Sequence, residues 1–497
     1  MPTFRLSLKQ ALCLSFTFHL LAAWYSVGYY NHDEQQVLEF TSWWLGKADS
    51  SLFDWQFHRE IRSFAMPLFY GGIAKCFSFF FVQNPFIWAF AYRLVGSLIG
   101  FLSAFLVICS LKRWFPEKKE WELQLISNFI LLAWFVPWLH SRTNAENLCS
   151  SFFLFGLVSL TQYQGSLFSP LRVSEGVEKR KLGYLCLAAL FLGVAFWIRF
   201  QAGILVFSLG CWLLLNKKMP FFHLVLLTLL TAFVSGSVLF IDYLGYGHWT
   251  FSPANFVKVN FFEDALGLYG KRPLWSYVFW GIRSYPPLSL LGVAFFGFGM
   301  LRFWKTLWVW LVFPFFLLHS LISWKELRFL FPIFPEALLL SGLGFLSLGE
   351  KAKAFFLGER IKRITFVLTL FGLLFTSLKP ASSMVFFYQY VYEHYPKRFE
   401  YVAVGGDPYV FLGMKQYFYS PEVLLPHLTE NWEKTQSEFL NQKSQIHVFF
   451  EKMPRSSELN EKCRLEYSTI PKWLLRFNYG HWVERSRNWS LYRCDFG

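Results

Sequence analysis

Residues 86–111 read FIWAFAYRLVGSLIGFLSAFLVICSL, a mostly apolar run with one charged side chain, Arg93. A helix rises about 1.5 Å per residue, so this run is longer than the roughly 30 Å of hydrocarbon in a bilayer. Similar apolar runs recur along the 497-residue chain, which is 55% hydrophobic and 22% aromatic. One soluble core does not need so many apolar residues. The sequence therefore predicts a polytopic, all-α membrane protein.

The apolar runs predict about 11 transmembrane helices. We place them near residues 11–30, 86–111, 123–139, 147–164, 182–197, 200–215, 221–241, 275–300, 304–322, 328–348 and 364–379. The first run resembles a signal sequence but lacks a clean small-x-small cleavage site, so we expect a retained helix. Residues 66–82 are also apolar, but a crossing there would invert every later loop.

Basic residues support this arrangement because they cluster in the loops on one side of the membrane. With a cytoplasmic N-terminus, that side contains Arg5 and Lys9, Lys112 to Lys119, Arg172 to Lys181, Lys217 and Lys218, Arg302 and Lys305, and Lys351 to Arg363. These loops explain the formal net charge of +15, so nucleic-acid binding is not expected. Residues 31–85 then form an external loop with interfacial or re-entrant helices.

The chain is expected to divide at about residue 380. Residues 1–379 form the predicted transmembrane domain, whereas residues 380–497 are richer in charge, Asn and Pro. Alternating residues such as Ile446-His447-Val448-Phe449-Phe450 are typical of a strand. We therefore expect a small mixed α/β domain in residues 380–497, on the external face of the membrane.

The cysteines indicate at most one covalent link and no metal site. Six of the eight lie in apolar segments and are expected to be small buried hydrophobes. Cys463 and Cys494 share the polar tail and can pair if that tail lies in an oxidising compartment. No C-x-x-C or H-x-x-x-H spacing occurs, so no metal is expected. We also expect no cofactor.

Asp33 and Glu34 form an acidic pair where the first span meets the external loop. Charge at a membrane boundary costs free energy and is therefore often functional. A carboxylate there can act as a general base for an attacking hydroxyl. The same residues can instead cap the following helix. The sequence leaves both interpretations open.

Four basic side chains lie at the external ends of predicted spans, namely Arg142, Arg199, Lys325 and Arg328. A guanidinium or ammonium group in that position can hold a lipid phosphate and offset the charge of a departing group. Of the two in the late segment, Arg328 is a stronger candidate than Lys325, because its planar fork can bind two phosphate oxygens and Lys cannot. Each of the four can instead anchor its helix by reaching to the headgroups.

Aromatic and turn-rich segments on the external side suit sugar binding. Trp55 and Arg62 lie in a stretch that can stack on sugars or contact phosphate. That stretch can equally form an interfacial helix on headgroups. Two Gly-rich and aromatic segments indicate compact loops over a cavity, and they contain Asp242, Tyr246 and Tyr269.

Five segments resemble, in order, the motifs of the dolichyl-phosphate-mannose-dependent α-mannosyltransferases (glycosyltransferase family 22) that build GPI anchors and N-glycan precursors. They are His32-Asp33-Glu34 with Glu39 (H-P-D-E…E in the family), Phe53-Asp54-Trp55 to Ser63 with Pro67 (T-W-E-W…I-R-S…P), Arg142 to Glu146 (R-T…N…E), Ile241 to Asn260 (D-S-x-Y-Y-G-x-W…P-x-N-F…N), and Trp324 to Pro332 (H-K-E-x-R-F-L-F-P). The likeness covers roughly residues 30–335. Ile61-Arg62-Ser63-Phe64 is most similar to the GPI mannosyltransferase III branch. His32 stands where the family has Pro, and Trp324 where it has His.

The resemblance implies the GT-C glycosyltransferase fold in the endoplasmic reticulum membrane of a eukaryote or the inner membrane of a bacterium, with a luminal or periplasmic site. It implies inverting transfer of mannose from a polyprenyl or dolichyl phosphate to a mannosylated glycolipid or lipid-linked glycan, giving an α-mannoside, preferably α-1,2. The catalytic base is then Asp33 or Glu34. The donor phosphate is assigned to Arg328, Lys325, Arg199 and Arg142. Acceptor or sugar contacts are assigned to Glu39, Trp55, Arg62, Asp242, Tyr246 and Tyr269.

Two alternatives stay open at this point. One is a transferase of the same fold that uses another polyprenyl-linked sugar or a protein acceptor. The other is a secondary transporter or flippase, which predicts charged residues in mid-span and repeat-related broken helices, whereas the charges here cluster at one face. Turnover of a lipid-phosphate sugar by the purified protein separates these hypotheses.

Overall fold

The computed structural model describes residues 6–164, 178–411, 414–432, 434–437, 445–452, 454, 459, 461–481, 483, 486 and 488–496. Arg5 and Arg172, both in predicted cytoplasmic segments, lie outside the described residues. The chain forms two compact units. The helical unit consists of Met1–Ser26, Arg59–Phe69 and Phe90–Lys379, and the tail unit of Val27–His58, Tyr70–Ala89 and Pro380–Gly497. The tail unit thus includes two stretches of the predicted external loop.

Helices account for most of the described residues before 380. The first of them are α1 (Leu8–Tyr25), α2 (His32–Trp44), α3 (Trp55–His58), α4 (Ala65–Phe79), α5 (Pro85–Trp114), α6 (Glu120–Leu132), α7 (Val136–His140), α8 (Ala145–Gln164), α9 (Glu178–Ile198) and α10 (Ala202–Leu215). They are followed by α11 (Phe221–Gly236), α12 (Val238–Tyr246), α13 (Ser252–Val257), α14 (Ser276–Arg283), α15 (Leu288–Arg302), α16 (Leu307–Leu321), α17 (Phe334–Leu346), α18 (Glu350–Phe356), α19 (Glu359–Leu378) and α20 (Met384–His394).

Several of these helices can cross a membrane. Those long and apolar enough among the described residues are Pro85–Trp114, Phe221–Tyr246, Leu327–Leu346 and Glu359–Leu378. A further span results if α15 and α16, which are bent by 116° relative to each other, are counted together. Shorter apolar helices cover Leu182–Ile198 and Ala202–Leu215. The chain is a helical membrane protein, and the number of about 11 spans stays a prediction.

The prediction that the first span ends near residue 30 is wrong. Helix α1 stops at Tyr25, and Asp33 and Glu34 begin α2 instead of ending α1. Gly28 lies in the connection with a φ of 87°. A positive φ is readily adopted only by glycine, so this residue lets the chain turn between the two helices.

Two other predicted spans, 123–139 and 275–300, are interrupted. Residues 133–135 separate α6 from α7, and residues 284–287 separate α14 from α15. Proline lacks an N–H group and fixes φ, so it is favoured at the start of a helix and disrupts hydrogen bonding in its interior. Pro137 lies in the first turn of α7 and Pro287 caps α15. Apolar residues lie on both sides of each break, and Ser284, Pro286 and Pro287 mark the second break in the sequence.

Glycine permits a close approach of two helices in the helical unit. Helices α15 and α17 pack against each other. A Cβ added to Gly299 would lie 2.2 Å from the carbonyl oxygen of Leu340, and one added to Gly344 would lie 2.0 Å from that of Phe295. Larger residues at these two positions would push the helices apart.

A five-stranded sheet organises the end of the tail unit, and its strands lie in the order β4-β1-β5-β7-β6. The strands of the tail unit are β1 (Arg398–Val404), β2 (Val410–Phe411), β3 (Met414–Lys415), β4 (Val423–Thr429), β5 (Gln445–Phe450), β6 (Cys463–Ser468) and β7 (Ser490–Asp495). Strand β1 pairs in parallel with β4 and β5, whereas β7 is antiparallel to β5 and β6. The alternating stretch Ile446–Phe450 lies in β5, which confirms the predicted mixed α/β tail.

The two tail cysteines are joined. Cys463 in β6 and Cys494 in β7 are register partners in the antiparallel ladder and form a disulfide. The pairing that the sequence allowed is therefore present. On the same sheet, Val402, Val448 and Tyr492 belong to the hydrophobic core.

Candidate active site

The acidic pair occupies the first turn of α2. The side chain of Asn31 caps this helix by accepting a hydrogen bond from the backbone N–H of Glu34 at 3.1 Å. Glu34 Oε2 accepts a hydrogen bond from the N–H of Tyr30 at 2.9 Å. Asp33 and Glu34 are 2% and 1% exposed. Because the helix dipole favours negative charge in the first turn, α2 holds both carboxylates at its start.

A polar network joins α2 to the residues before α3. Asp54 Oδ2 accepts a hydrogen bond from Gln36 Nε2 and lies 3.2 Å from His32 Nε2. The other ring nitrogen of His32 lies 3.2 Å from Gln35 Oε1. Trp55, assigned to sugar binding, follows Asp54 and is half-buried. Asp54 thereby fixes the start of α3 against the acidic helix.

Glu39 lies further along α2 and is 0% exposed. Its Oε2 accepts the N–H of Tyr417 at 2.7 Å, and its Oε1 accepts the N–H of Phe418 at 3.2 Å. Burial raises the pKa of Glu39 to about 8, and the two N–H groups oppose that shift. The sequence assigned Glu39 to the acceptor, whereas the structure places its oxygens on the protein's own backbone.

In the helical unit, Glu146 lies between two of the predicted phosphate ligands. Its Oε1 is 2.9 Å from Nη2 of Arg199 and 4.0 Å from Nη1 of Arg328. The carboxylate is 0% exposed and each of the two arginine side chains is 8% exposed. Arg199 also donates through Nε to Gln201 Oε1 at 2.6 Å. The structure therefore brings Arg199 and Arg328 together at one buried carboxylate.

A second carboxylate binds Arg328 from within its own segment. Glu326 Oε2 accepts the Nε–H of Arg328 at 2.6 Å, and Glu326 Oε1 accepts the indole N–H of Trp324 at 3.0 Å. Lys325 instead donates to backbone carbonyl oxygens, including that of Arg272 at 2.9 Å. Burial lowers the pKa of Lys325 below its ordinary value. Lys325 thus joins two loops, while Arg328 belongs to the charged cluster.

Arg142, the fourth predicted phosphate ligand, is bound to the protein itself. Its Nη2 donates to the carbonyl oxygen of Ser26 and lies 3.4 Å from Ser141 Oγ. The guanidinium carbon is 5.5 Å from the centre of the Trp138 ring. Arg142 is 2% exposed. These contacts connect the end of α1 to the segment before α8.

Asp242 and Tyr246 hold the backbone of the loop before α4. Asp242 Oδ1 accepts the N–H of Phe64 at 3.1 Å, and its Oδ2 accepts the N–H of Ser252 at 3.3 Å as well as the Ser252 hydroxyl. The Tyr246 hydroxyl donates to the carbonyl oxygen of Arg62 at 2.9 Å. Two residues predicted to bind sugar therefore fix the position of a third, Arg62.

Tyr269 is the most exposed of the predicted sugar contacts, with 51% of the residue exposed. Its ring centre is 6.1 Å from that of Trp324. The guanidinium carbon of Arg272 lies 4.2 Å from the Trp324 ring centre. Exposed aromatic rings of this kind can stack on the apolar face of a sugar.

Glu146 was not among the residues predicted for the site, although it ends the motif Arg142 to Glu146. The signal in the sequence was an acidic residue at the start of an apolar run. Such a charge is costly to bury unless a group of opposite charge pairs with it. Among the described residues, no group of three or more His, Cys, Asp or Glu side chains is arranged to hold a metal ion. Chemistry without a metal or cofactor stays a prediction.

The chain has the GT-C fold, as predicted. The structure of ArnT from Cupriavidus metallidurans bound to undecaprenyl phosphate matches 98% of this chain and 97% of that chain, with a TM-score of 0.58 and 10% identity. The apo oligosaccharyltransferase of Archaeoglobus fulgidus matches 90% of this chain and 70% of that chain, with a TM-score of 0.52 and 10% identity. At such identities the likeness establishes the fold alone.

The chain belongs to the Alg9-like mannosyltransferase family, whose profile matches residues 10–412. Mannosyltransferase APTG1 of Arabidopsis thaliana is 26% identical over 299 residues, which are 59% of this chain and 50% of that protein. GPI alpha-1,2-mannosyltransferase 3 of Bos taurus is 25% identical over 306 residues, 58% of this chain and 50% of that protein. The chain spans about half the length of the curated relatives it matches. The family suspected from the motifs is confirmed.

Proposed function

We propose that the protein transfers mannose from a polyprenyl-phosphate-mannose donor to a mannosylated glycolipid or lipid-linked glycan. The observation that carries this proposal is the family match over residues 10–412, which includes the buried acidic pair of α2. An α-1,2 linkage in the assembly of a GPI anchor is supported by relatives named GPI alpha-1,2-mannosyltransferase 3.

The proposed reaction needs one base and one leaving group. The base takes the proton of an acceptor hydroxyl, and the oxygen attacks C1 of the donor mannose. The bond from C1 to the phosphate oxygen breaks, and polyprenyl phosphate leaves with the electron pair. Attack from the opposite side converts a β-linked donor into an α-mannoside. The base is assigned to the acidic pair Asp33 and Glu34 at the start of α2, and Asp33 is the first candidate.

Arg199 and Arg328 are the proposed ligands of the donor phosphate. Their guanidinium groups converge on Glu146 in a buried environment, where charges interact more strongly than in water. Phosphate gains negative charge as the sugar departs, so these cations stabilise the transition state more than the ground state. Lys325 and Arg142 donate to carbonyl oxygens, and we propose that they position the surrounding loops.

Trp55, Arg62 and Tyr269 are the proposed contacts of the acceptor sugar, because these three residues are half-buried or exposed. Asp242 and Tyr246 support the loop that carries Arg62. Their proposed role is to orient this loop toward the acceptor.

We place the protein in the endoplasmic reticulum membrane of a eukaryotic cell, with its site on the luminal face. The disulfide between Cys463 and Cys494 supports an oxidising compartment for the tail. In a bacterium, the same orientation corresponds to the inner membrane and the periplasm.

A product assay tests the proposal. The purified full chain is incubated with labelled dolichyl-phosphate-mannose and a panel of glycolipids that end in mannose, and we expect a labelled α-mannoside. Dolichyl-phosphate-glucose and peptide acceptors are run in parallel, and exclusive turnover of either would favour the other transferase hypothesis. Movement of labelled lipid across proteoliposomes without any transfer would favour the transporter.

A further inference from the structure

The connection that leads into the acidic helix is held by residues from the far end of the sequence. The carbonyl oxygen of Val27 accepts hydrogen bonds from the N–H groups of Ala381 at 2.9 Å and Ser382 at 3.2 Å. A Cβ added to Gly28 would lie 2.6 Å from the carbonyl oxygen of Ser382. The backbone after residue 380 therefore fixes where the acidic segment begins.

The other side of the acidic pair is held by a second part of the tail. Tyr417 and Phe418 donate their backbone N–H groups to Glu39, which is one and a half turns after Glu34 on α2. The next residue, Tyr419, packs its ring against Tyr29, with 5.8 Å between the ring centres. Residues 417–419 therefore contact the chain both before and after the acidic pair.

Residues 417–419 and their neighbours are held in place by further contacts within the tail unit. The ring of Tyr388 on α20 lies nearly parallel to that of Tyr419, with 6.1 Å between the centres. The Tyr388 hydroxyl donates to the carbonyl oxygen of Pro408 at 2.8 Å, and the N–H of Gln416 donates to the carbonyl oxygen of Tyr409 at 2.7 Å. Because these contacts hold the backbone of this segment, its hydrogen bonds to Glu39 can fix the position of α2.

We propose that residues 417–419 position the acidic helix through Glu39 and Tyr29, so that Glu39 is a positioning residue for the base and not an acceptor ligand. This inference rests on the proposed function. Residues 417–419 lie beyond the segment 10–412 that matches the family, so the family match does not account for their contribution. A misplacement of about 1 Å in a reacting group can cost about 100-fold in rate, which makes such support consequential.

The test compares Glu39→Leu and Glu39→Gln with the wild type in the full chain. Leucine removes both acceptor oxygens, whereas glutamine keeps the shape and one carbonyl oxygen. We expect Glu39→Leu to lower kcat by about 10- to 100-fold with unchanged KM for donor and acceptor, and Glu39→Gln to recover most of the loss. Glu393→Gln is the matched control, because Glu393 is an exposed carboxylate on α20 of the same unit.

Hydrogen exchange gives a readout that does not need turnover. In Glu39→Leu, the peptides that contain residues 29–38 and 417–418 should both exchange faster, and Glu393→Gln should change neither. A raised acceptor KM with normal kcat would overturn the proposal and return Glu39 to the acceptor. Unchanged exchange in residues 29–38 would also overturn it.

The two proposals fail in different ways. If the wild type transfers no mannose but Glu39→Leu loosens both peptides, the positioning contact stands and the proposed function is wrong. If mannose is transferred and Glu39→Leu keeps both its kcat and its exchange pattern, the function stands and the positioning role is wrong. Should Glu39→Leu fail to accumulate, faster exchange of residues 29–38 in Glu39→Ala supports the proposal and unchanged exchange rejects it.

Discussion

Arg199 and Glu146 form a buried ion pair, with 2.9 Å between Nη2 and Oε1. Arg328 lies 4.0 Å from the same oxygen and also pairs with Glu326, so the Glu146 carboxylate lies beside two guanidinium groups. Glu146→Gln removes that negative charge, and breaking a buried pair costs about 3–5 kcal/mol of stability. A bound phosphate can replace the lost charge, so polyprenyl phosphate should raise the Tm of Glu146→Gln more than that of the wild type.

The control for this thermal-shift experiment is Glu350→Gln, since Glu350 pairs with Lys353 but is exposed. Its Tm should respond to polyprenyl phosphate as the wild type does. Equal shifts in all three proteins would mean that the phosphate does not bind near Arg199 and Arg328.

Asp33→Asn tests the proposed base. The asparagine side chain keeps the size of the carboxylate but cannot accept the proton, so we expect kcat to fall by about 10²–10⁴-fold with a normal amount of folded protein. Glu34→Gln should be milder, because an amide oxygen can still accept the N–H of Tyr30. The reverse order of the two losses, measured by product formation, would assign the base to Glu34.

Arg328→Lys and Arg328→Ala test the proposed phosphate ligand. Lysine keeps the charge but loses the planar fork that binds two oxygens and Glu326 together. Arg328→Ala should raise the donor Kd and lower kcat. Arg328→Lys should change both constants less, without returning either to the wild-type value. Arg302→Lys, at the exposed end of α15, is the matched control. Full activity of Arg328→Lys would support a purely structural role for the residue.

Single cysteines test the predicted orientation in the membrane. In a background that lacks the six free thiols, we expect Leu52→Cys to react with an impermeant reagent from the luminal side. Lys351→Cys should react only from the cytoplasmic side, because its loop is one of the basic ones. Both positions are exposed. Labelling of the two cysteines from the same side would contradict the predicted odd number of spans.

Glu39 should make the stability of the tail unit depend on pH. Its pKa is raised from 4.5 to about 8, so between these values folded Glu39 keeps a proton that the unfolded chain has lost. The free energy of unfolding should therefore fall as the pH rises from about 4.5 to about 8, and then level off. The neighbouring Tyr29, Tyr388 and Tyr417 have raised pKa values and stay neutral over this range.

Denaturant unfolding followed across this pH range measures the effect. Glu39→Gln cannot titrate and should show a flatter dependence than the wild type, while Glu393→Gln should keep the original slope. Identical slopes for wild type and Glu39→Gln would show that Glu39 is ionised in the folded protein.

The membrane helices were the most predictable part of the fold. Residues 86–111 lie within α5, because a long apolar run in hydrocarbon can satisfy its backbone only as a helix. The breaks near Pro137 and Pro287 were not predicted, although proline, which lacks an N–H group and fixes φ, marks both of them in the sequence.

The candidate residues were predictable one by one, but their partners were not. Charge at the edge of an apolar run pointed to Asp33, Arg199 and Arg328. Glu146 and Arg199 are separated in sequence by two helices, and no local spacing indicates that they meet. The partners of Glu39 are backbone N–H groups, which every residue except proline possesses and which therefore leave no trace in the sequence.

The long sequence separation within the tail unit has a consequence for biosynthesis. Glu39 and Tyr417 are 378 positions apart, so α2 leaves the ribosome long before its partners have been made. Strand β7, at residues 490–495, lies inside the sheet between β5 and β6. The five-stranded sheet is therefore complete only after these residues are translated. Such non-local pairings form slowly. The hydrogen bonds that hold the acidic helix at Glu39 therefore form only after residues 417 and 418 have been translated.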